Sequence, residues 1–165
     1  MLLQLLLLLG LTTFTNAIIN QLSFSGGGSF GAVEIGIAKR LIERNGGKQF
    51  DLYTGISAGA LNAGFLSYYK NIRDGIRIAE RIYTSIDNRM VYKLLPPTGV
   101  SVLNTEPLYN TLNAVISRMP NLPVIHTLIG ATNLYSGNLD VYSFEKMRSD
   151  EERVHLLMSS SSIPG

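Results

Sequence analysis

Two switches of hydrophobic period organise the first third of this chain. Gln21-Leu22-Ser23-Phe24-Ser25 alternates polar and apolar side chains, the period-two pattern of a strand with one buried face. It runs directly into Gly26-Gly27-Gly28-Ser29-Phe30-Gly31. Beyond the glycines, Val33, Ile37, Ala38, Leu41 and Ile42 recur at spacings of three and four, which predicts a helix, and Asn45-Gly46-Gly47 stops it. The same order of events follows at once. Phe50 to Tyr53 mixes aromatic and aliphatic residues as a short buried strand does, and a turn centred on Ser57 leads into Ala58 to Leu66. That stretch is rich in Ala and Leu, and its small side chains let a helix lie close against a sheet.

Downstream the pattern predicts scaffold. Ile76, Ala79, Ile82, Tyr83 and Ile86 form one helical stripe, with Arg77, Glu80, Arg81 and Asp87 facing away. Met90 to Val102 carries Pro96-Pro97 and Gly99 and reads as loop. Thr105 is the expected N-cap of the next helix, with Pro107 in its first turn, Leu108, Leu112, Val115, Ile116 and Met119 on its buried face, and Pro120 ending it. Val124 to Asn133 is apolar enough for a central strand covered on both faces. Tyr135-Ser136-Gly137-Asn138 turns it into the alternating segment Leu139 to Phe144, so a hairpin is expected. Asp150 to Ser161 is helical, with Val154, Leu157, Met158 and Ser161 inward. Strands alternating with helices, plus one hairpin, predict an α/β fold: a three-layer α/β/α sandwich with a mixed, largely parallel central sheet.

Composition narrows the chemistry. At 165 residues and 45% hydrophobic content the chain is one domain's worth, with enough apolar side chain for a core. A formal charge of +2, with no basic run, gives no footprint for nucleic acid. Zero cysteines exclude a disulfide framework and a thiol nucleophile, and two distant histidines offer no metal site. Met1 to Ala17 reads as a signal peptide, with an apolar run from Leu2 to Leu11 and small residues at Thr15-Asn16-Ala17. That run is shorter than the roughly 20 apolar residues of a membrane span. A secreted or lumenal domain beginning at Ile18 is the expectation; the missing Lys or Arg near the start leaves a signal anchor as the alternative.

The two glycine turns carry the candidate catalysis. Gly55-Ile56-Ser57-Ala58-Gly59 fits G-x-S-x-G, the nucleophile elbow, in which a serine sits on a strained strand-to-helix turn. The glycine run admits three readings. A dinucleotide fingerprint wants an acidic residue about 20 positions on, at the end of a second strand, whereas Asp51 comes late and starts its strand. A phosphate-binding P-loop wants Gly-Lys-Ser/Thr, which does not follow. An oxyanion hole wants backbone N–H groups beside a serine on the next strand–helix turn, and Ser57 stands there. Two such turns on adjacent parallel strands open at the same sheet edge. Of the histidines, His126 falls inside a predicted strand and His155 on the outer side of a helix, so neither reads as the base of a triad.

These residues resemble a family. Ser25-Gly26-Gly27-Gly28-Ser29-Phe30-Gly31 followed by Gly55-Ile56-Ser57-Ala58-Gly59, with Ser159-Ser160-Ser161-Ser162-Ile163-Pro164-Gly165 at the far end, is similar to the patatin-like phospholipases. The resemblance spans about Gln21 to Gly165. It implies a patatin-like fold and a lipid acyl hydrolase acting on phospholipids or neutral acyl esters. Ser57 would be the nucleophile of a Ser–Asp dyad, and Gly26, Gly27, Gly28, Gly31 and Ala58 would form the oxyanion hole, with no metal or cofactor. It also implies a peripheral contact with membrane, and Val91, Tyr92, Leu94 and Leu95 either rim an acyl-chain groove or belong to an ordinary packed loop. Two departures stand out. Phe30 replaces a frequent Arg or Lys, and the family's Asp-Gly-Gly or Asp-Gly-Ala does not occur, since Asp74-Gly75 is followed by Ile76 and lies too early. The expectation is therefore a catalytic domain cut short of its aspartate at the C-terminal side. The alternatives are an acyltransferase on the same site, or an inactive lipid-binding fragment.

Overall fold

The period-two segment forms strand β1 (Gln21–Phe24), which pairs in parallel with β2 (Leu52–Ile56), Leu22 opposite Tyr53 and Phe24 opposite Gly55. The computed structural model describes residues 19–94, 103–119 and 122–162. The leader Met1 to Ala17, Leu95, Pro96-Pro97, Gly99, Pro120 and the terminal Ile163-Pro164-Gly165 lie outside these. Strand β2 pairs in parallel with β5 (His126–Thr132), and β5 turns back through the expected hairpin into antiparallel β6 (Leu139–Ser143). The resulting order is β1-β2-β5-β6. This is the expected α/β architecture, a mixed, mostly parallel sheet of four strands with helices on both sides.

Five helices accompany it among the described residues: α1 (Gly31–Arg44), α2 (Ala58–Leu66), α3 (Ile72–Ser85), α4 (Glu106–Ile116) and α5 (Asp150–Ser161). The best-buried sheet face carries Leu22, Phe24, Tyr53, Thr127 and Ile129, and it packs with Ala60, Ala63 and Leu66 of α2 and Val154 and Leu157 of α5. Helix α2 is the hub. It is buried along nearly its whole length, because Ala and Gly side chains let it sit where a bulkier helix could not. Gly64 lies directly under Leu157 and Phe144. Phe144 is fully buried and meets Tyr68 edge to face at 6.1 Å.

Four local features differ from the sequence reading. Strand β2 starts at Leu52 and runs through Gly55 to Ile56, later than Phe50 to Tyr53, because parallel pairing with Gly130 extends it. Helix α1 buries Ile35, Ala38 and Ile42 and leaves Val33, Ile37 and Leu41 exposed, so its apolar positions form two faces, of which only one meets the core. Thr105 makes no side-chain cap; Asn104 Oδ1 accepts the Glu106 N–H at 2.8 Å instead. The region after Met90 is not all loop: β3 (Lys93–Leu94) and β4 (Leu103–Asn104) pair antiparallel. Helix α5 also buries Arg153, which reaches the Asp150 carboxylate at 2.9 Å and the Met147 carbonyl at 2.7 Å. No helix of the described residues is long and apolar enough to cross a membrane.

At the N-terminal edge of the sheet His126 Nδ1 pairs with the Glu145 carboxylate, which also accepts the Thr127 N–H at 3.2 Å. Partial burial pushes the Glu145 pKa up, but backbone hydrogen bonds, including that from Thr127, and the bond to His126 outweigh it and leave the pKa below the ordinary value. A carboxylate with a depressed folded pKa stabilises the fold above its unfolded pKa of about 4.3. That contribution disappears as pH falls through the lower folded value. Glu145→Gln should therefore destabilise at neutral pH, with the gap to wild type closing as pH falls below the unfolded carboxylate value of about 4.3 and on through the lower folded one. Urea titrations at a series of pH values measure it. Phe144→Ala should cost about 3–5 kcal/mol in the same assay at neutral pH, because that ring is fully buried against Gly64 of α2 and the Tyr68 ring.

Candidate active site

Strand β2 delivers Ser57 to the sheet edge in a conformation that few side chains adopt. Ser57 has φ 56° and ψ −125°, and it is the one non-glycine residue with positive φ among the described residues. Such backbone costs about 1–3 kcal/mol and persists only where its surroundings enforce it. The flanking glycines supply the enforcement. A Cβ on Gly55 would overlap the Gly59 carbonyl, and a Cβ on Gly59 would overlap the Phe24 carbonyl at the end of β1. The turn is therefore pressed between its own helix and the neighbouring strand. Hydrogen bonds complete the grip: Ala60 N–H donates to Ser57 O at 2.9 Å, and Ser57 N–H donates to Ser160 Oγ at 2.9 Å. Ser160 Oγ in turn donates to Gly130 O at 2.6 Å, tying the C-terminal end of α5 to both central strands.

The glycine run leaves β1 at the same edge. A Cβ on Gly26 would lie 3.3 Å from Ser57 Cβ and 3.9 Å from Ser57 Oγ, so the loop's backbone passes beside the hydroxyl. Gly28 takes φ 56°, which glycine adopts without steric penalty. Several amides of the loop are engaged within it. Ser25 N–H donates to Glu34 Oε1 at 2.8 Å, Phe30 N–H to Gly27 O at 3.1 Å, and Gly31 N–H to the carbonyls of Gly28 and Ser29. Gly31 thus closes the loop and starts α1. The amides of Gly26, Gly27 and Gly28 take no part in these bonds. Ala58 N–H, at the first position of α2, has no carbonyl partner within its helix. Phe30 projects outward and is 68% exposed.

A polar chain runs behind the loop, buried at Asn62, half-buried at Tyr83 and Glu34 and exposed at Ser25. Tyr83 O–H of α3 donates to Asn62 Oδ1 at 2.7 Å, and Asn62 Nδ2 of α2 donates to Gly31 O and to Glu34 Oε2, each at 3.0 Å. Glu34 Oε1 completes the chain by accepting from both the amide and the hydroxyl of Ser25. Burial, seconded by the charge of Glu34, pushes the Tyr83 pKa up to about 12, while the bond to Asn62 acts the other way, so the phenol stays a neutral donor.

The histidines lie elsewhere. His126 opens β5, opposite Leu52, so about 13 Å of parallel strand separates it from the edge at Ile56 and Gly130. His155 is exposed and stands beside the Tyr109 ring at 5.6 Å. Among the described residues neither an imidazole nor a carboxylate hydrogen-bonds Ser57 Oγ, and no group of three His, Asp or Glu could hold a metal ion. Asp74-Gly75 lies in the first turn of α3. Of the loop residues suggested for a groove rim, Leu94 is exposed while Val91 and Tyr92 are half-buried. An open cavity of about 530 Å³ lies between the β5–β6 hairpin and α5, where Ala131, Leu134, Leu156 and Ser159 line it together with Asp140 and Glu152, and neither Ser57 nor the glycine loop lines it.

Sequence reasoning singled out Ser57 and the glycines, set Tyr83 on an apolar stripe and Ser160 in the terminal serine run without a role at the site, and passed over Glu34 and Asn62. Of these two, only Asn62 left a trace, as a polar residue inside the otherwise apolar segment Ala58 to Leu66. Compared with known families, residues 22–165 match the model described as patatin-like phospholipase. No curated protein matches the chain. The elbow's dependence on α5 is directly testable. Ser160→Ala removes the acceptor of Ser57 N–H and the donor to Gly130 O together, and should lower stability by about 1–3 kcal/mol in urea denaturation.

Proposed function

This chain belongs to the patatin-like phospholipase family, a family of lipid acyl hydrolases, and on that premise we propose that Ser57 is the nucleophile of a serine-dependent hydrolase of phospholipid or neutral acyl esters. One observation carries the reading: Ser57, held in strained backbone, and the glycine loop leave neighbouring parallel strands at the same sheet edge, with Gly26 against the serine side chain. In the proposed reaction Ser57 Oγ attacks the ester carbonyl carbon and its proton passes to a carboxylate. The family's base is the aspartate of Asp-Gly-Gly or Asp-Gly-Ala, a tripeptide that residues 1–165 do not contain. The oxyanion is received by N–H groups of Gly27, Gly28 and Ala58, helped by the N-terminal end of α2. The alcohol leaves, and water then cleaves the acyl-enzyme.

The surroundings suit a lipid. The cavity beside Ser159 and Leu156 offers apolar space for an acyl chain, and Phe30, Val33 and Ile37 expose apolar surface beside the loop for peripheral contact with a lipid interface. Reading Met1 to Ala17 as a signal peptide, we assign the domain from Ile18 onward to the secretory route. Acyl transfer to an alcohol differs only in the second step, and product analysis with added glycerol distinguishes it. In the natural full-length chain, Ser57→Ala should lower ester hydrolysis by at least about 1,000-fold. It should also abolish the mass increase that a fluorophosphonate probe produces on the wild-type protein. Retained hydrolysis in the variant would overturn the assignment.

A further inference from the structure

The polar chain behind the glycine loop has a geometry that simple core satisfaction does not require. It grips the loop at both ends. Glu34 holds the amide and hydroxyl of Ser25, where the loop begins, and Asn62 holds the carbonyl of Gly31, where it ends. Both grips meet at one hydrogen bond, Asn62 Nδ2 to Glu34 Oε2 at 3.0 Å. Asn62 stands on the helix that Ser57 opens and is 2% exposed. Its orientation is fully determined: its carbonyl oxygen takes the Tyr83 hydroxyl, and its amide group serves Gly31 and Glu34. The loop that would supply the oxyanion donors is therefore referenced to the nucleophile's own helix rather than to its surface neighbours.

We propose that Glu34 is a positioning residue for the ester hydrolysis, fixing the glycine loop against Ser57 through Asn62 and Tyr83. The inference rests on the reading of Ser57 as nucleophile and adds what sets the position of its oxyanion donors. The chemistry of the site demands a carboxylate. One oxygen of Glu34 faces the donors of Ser25 and the other faces the donor of Asn62, so an amide would turn an N–H₂ group onto a donor whichever way it rotated. Asn62 cannot rotate to relieve this, because its oxygen would then confront the Gly31 carbonyl. Glutamine at position 34 thus breaks either the grip on Ser25 or the tie from that grip to Asn62, although it preserves size and shape. A displacement of about 1 Å in a group that stabilises the transition state is enough to cost on the order of 100-fold in rate.

The test compares Glu34→Gln, Tyr83→Phe and Glu43→Gln in the natural full-length protein, using hydrolysis of p-nitrophenyl butyrate and amide exchange at Ser25. Glu43 sits on the same helix in an exposed ion pair with Arg40 and serves as the control. Glu34→Gln should lower kcat by about 10- to 100-fold with KM within about threefold of wild type. Tyr83→Phe, which deletes one hydroxyl, should lower kcat severalfold, and Glu43→Gln should change neither constant. Ser25 amide exchange should accelerate at least about tenfold in Glu34→Gln. If Glu34→Gln is destabilised yet keeps wild-type kcat below its melting temperature, Glu34 is merely structural and the inference is overturned. Unchanged Ser25 exchange overturns it equally. Should Ser57→Ala retain hydrolysis, it is the nucleophile reading that fails. The exchange measurement does not depend on turnover and still reports whether Glu34 clamps the loop.

Discussion

Everything at the candidate site depends on one close approach, that of the first turn of α2 to the end of β1. Gly59 lies against the Phe24 carbonyl and Gly55 lies under the Gly59 carbonyl, at separations where no Cβ fits. That contact drives the chain through positive φ at Ser57 and lifts the hydroxyl out of the sheet edge. It also places Ala58 N–H at an uncapped helix start, where the peptide dipoles favour negative charge. The strain is local and the restraint is distributed. Core packing of Ala60, Ala63 and Leu66 keeps the helix down, so the serine has no relaxed alternative.

The parts of this arrangement that follow from short-range pattern were legible in the sequence. Alternation at Gln21 to Phe24, the glycine run, helical spacing to Arg44 and the Gly-x-Ser-x-Gly turn each reflect a constraint between residues close in the chain. The helix from Asp150 to Ser161 and the hairpin at Gly137 were equally plain. What stayed hidden is what needs partners far apart in sequence. The start of β2 depends on its register with β1 and β5, which no local window contains. Thr105 looked like the cap of its helix because the preference for Thr is real, but Asn104 is one residue better placed to reach Glu106 N–H. Val33, Ile37 and Leu41 share helical spacing with Ala38 and Ile42, and periodicity cannot tell which of two apolar faces meets the core.

The same division applies to the site. Ser57 and its glycines announce themselves because backbone geometry restricts which residues can stand there. Glu34, Asn62, Tyr83 and Ser160 are ordinary polar residues on four ordinary helices until those helices and the glycine loop converge. Their bonds span 9, 28, 21 and 103 residues of chain. Around the buried Asn62 such bonds strengthen one another in a low dielectric, and leaving it unpaired is costly. The polar chain is consequently a specific fit rather than a tolerant one, which is why each donor in it has a single acceptor geometry.

The bond from Ser57 to Ser160 has a consequence for the order in which the protein matures. The serine and its glycine loop are complete in the chain by Gly59, yet their geometry is closed by a hydroxyl on the last turn of α5. Closure of so long a segment comes late in folding, after local helices and the central strands have formed. During synthesis the elbow therefore waits for about a hundred further residues to leave the ribosome before its backbone is locked. Early chains carry Ser57 without its final backbone shape, so the geometry of the elbow is a late-acquired property of the domain and arrives with the docking of its last described helix.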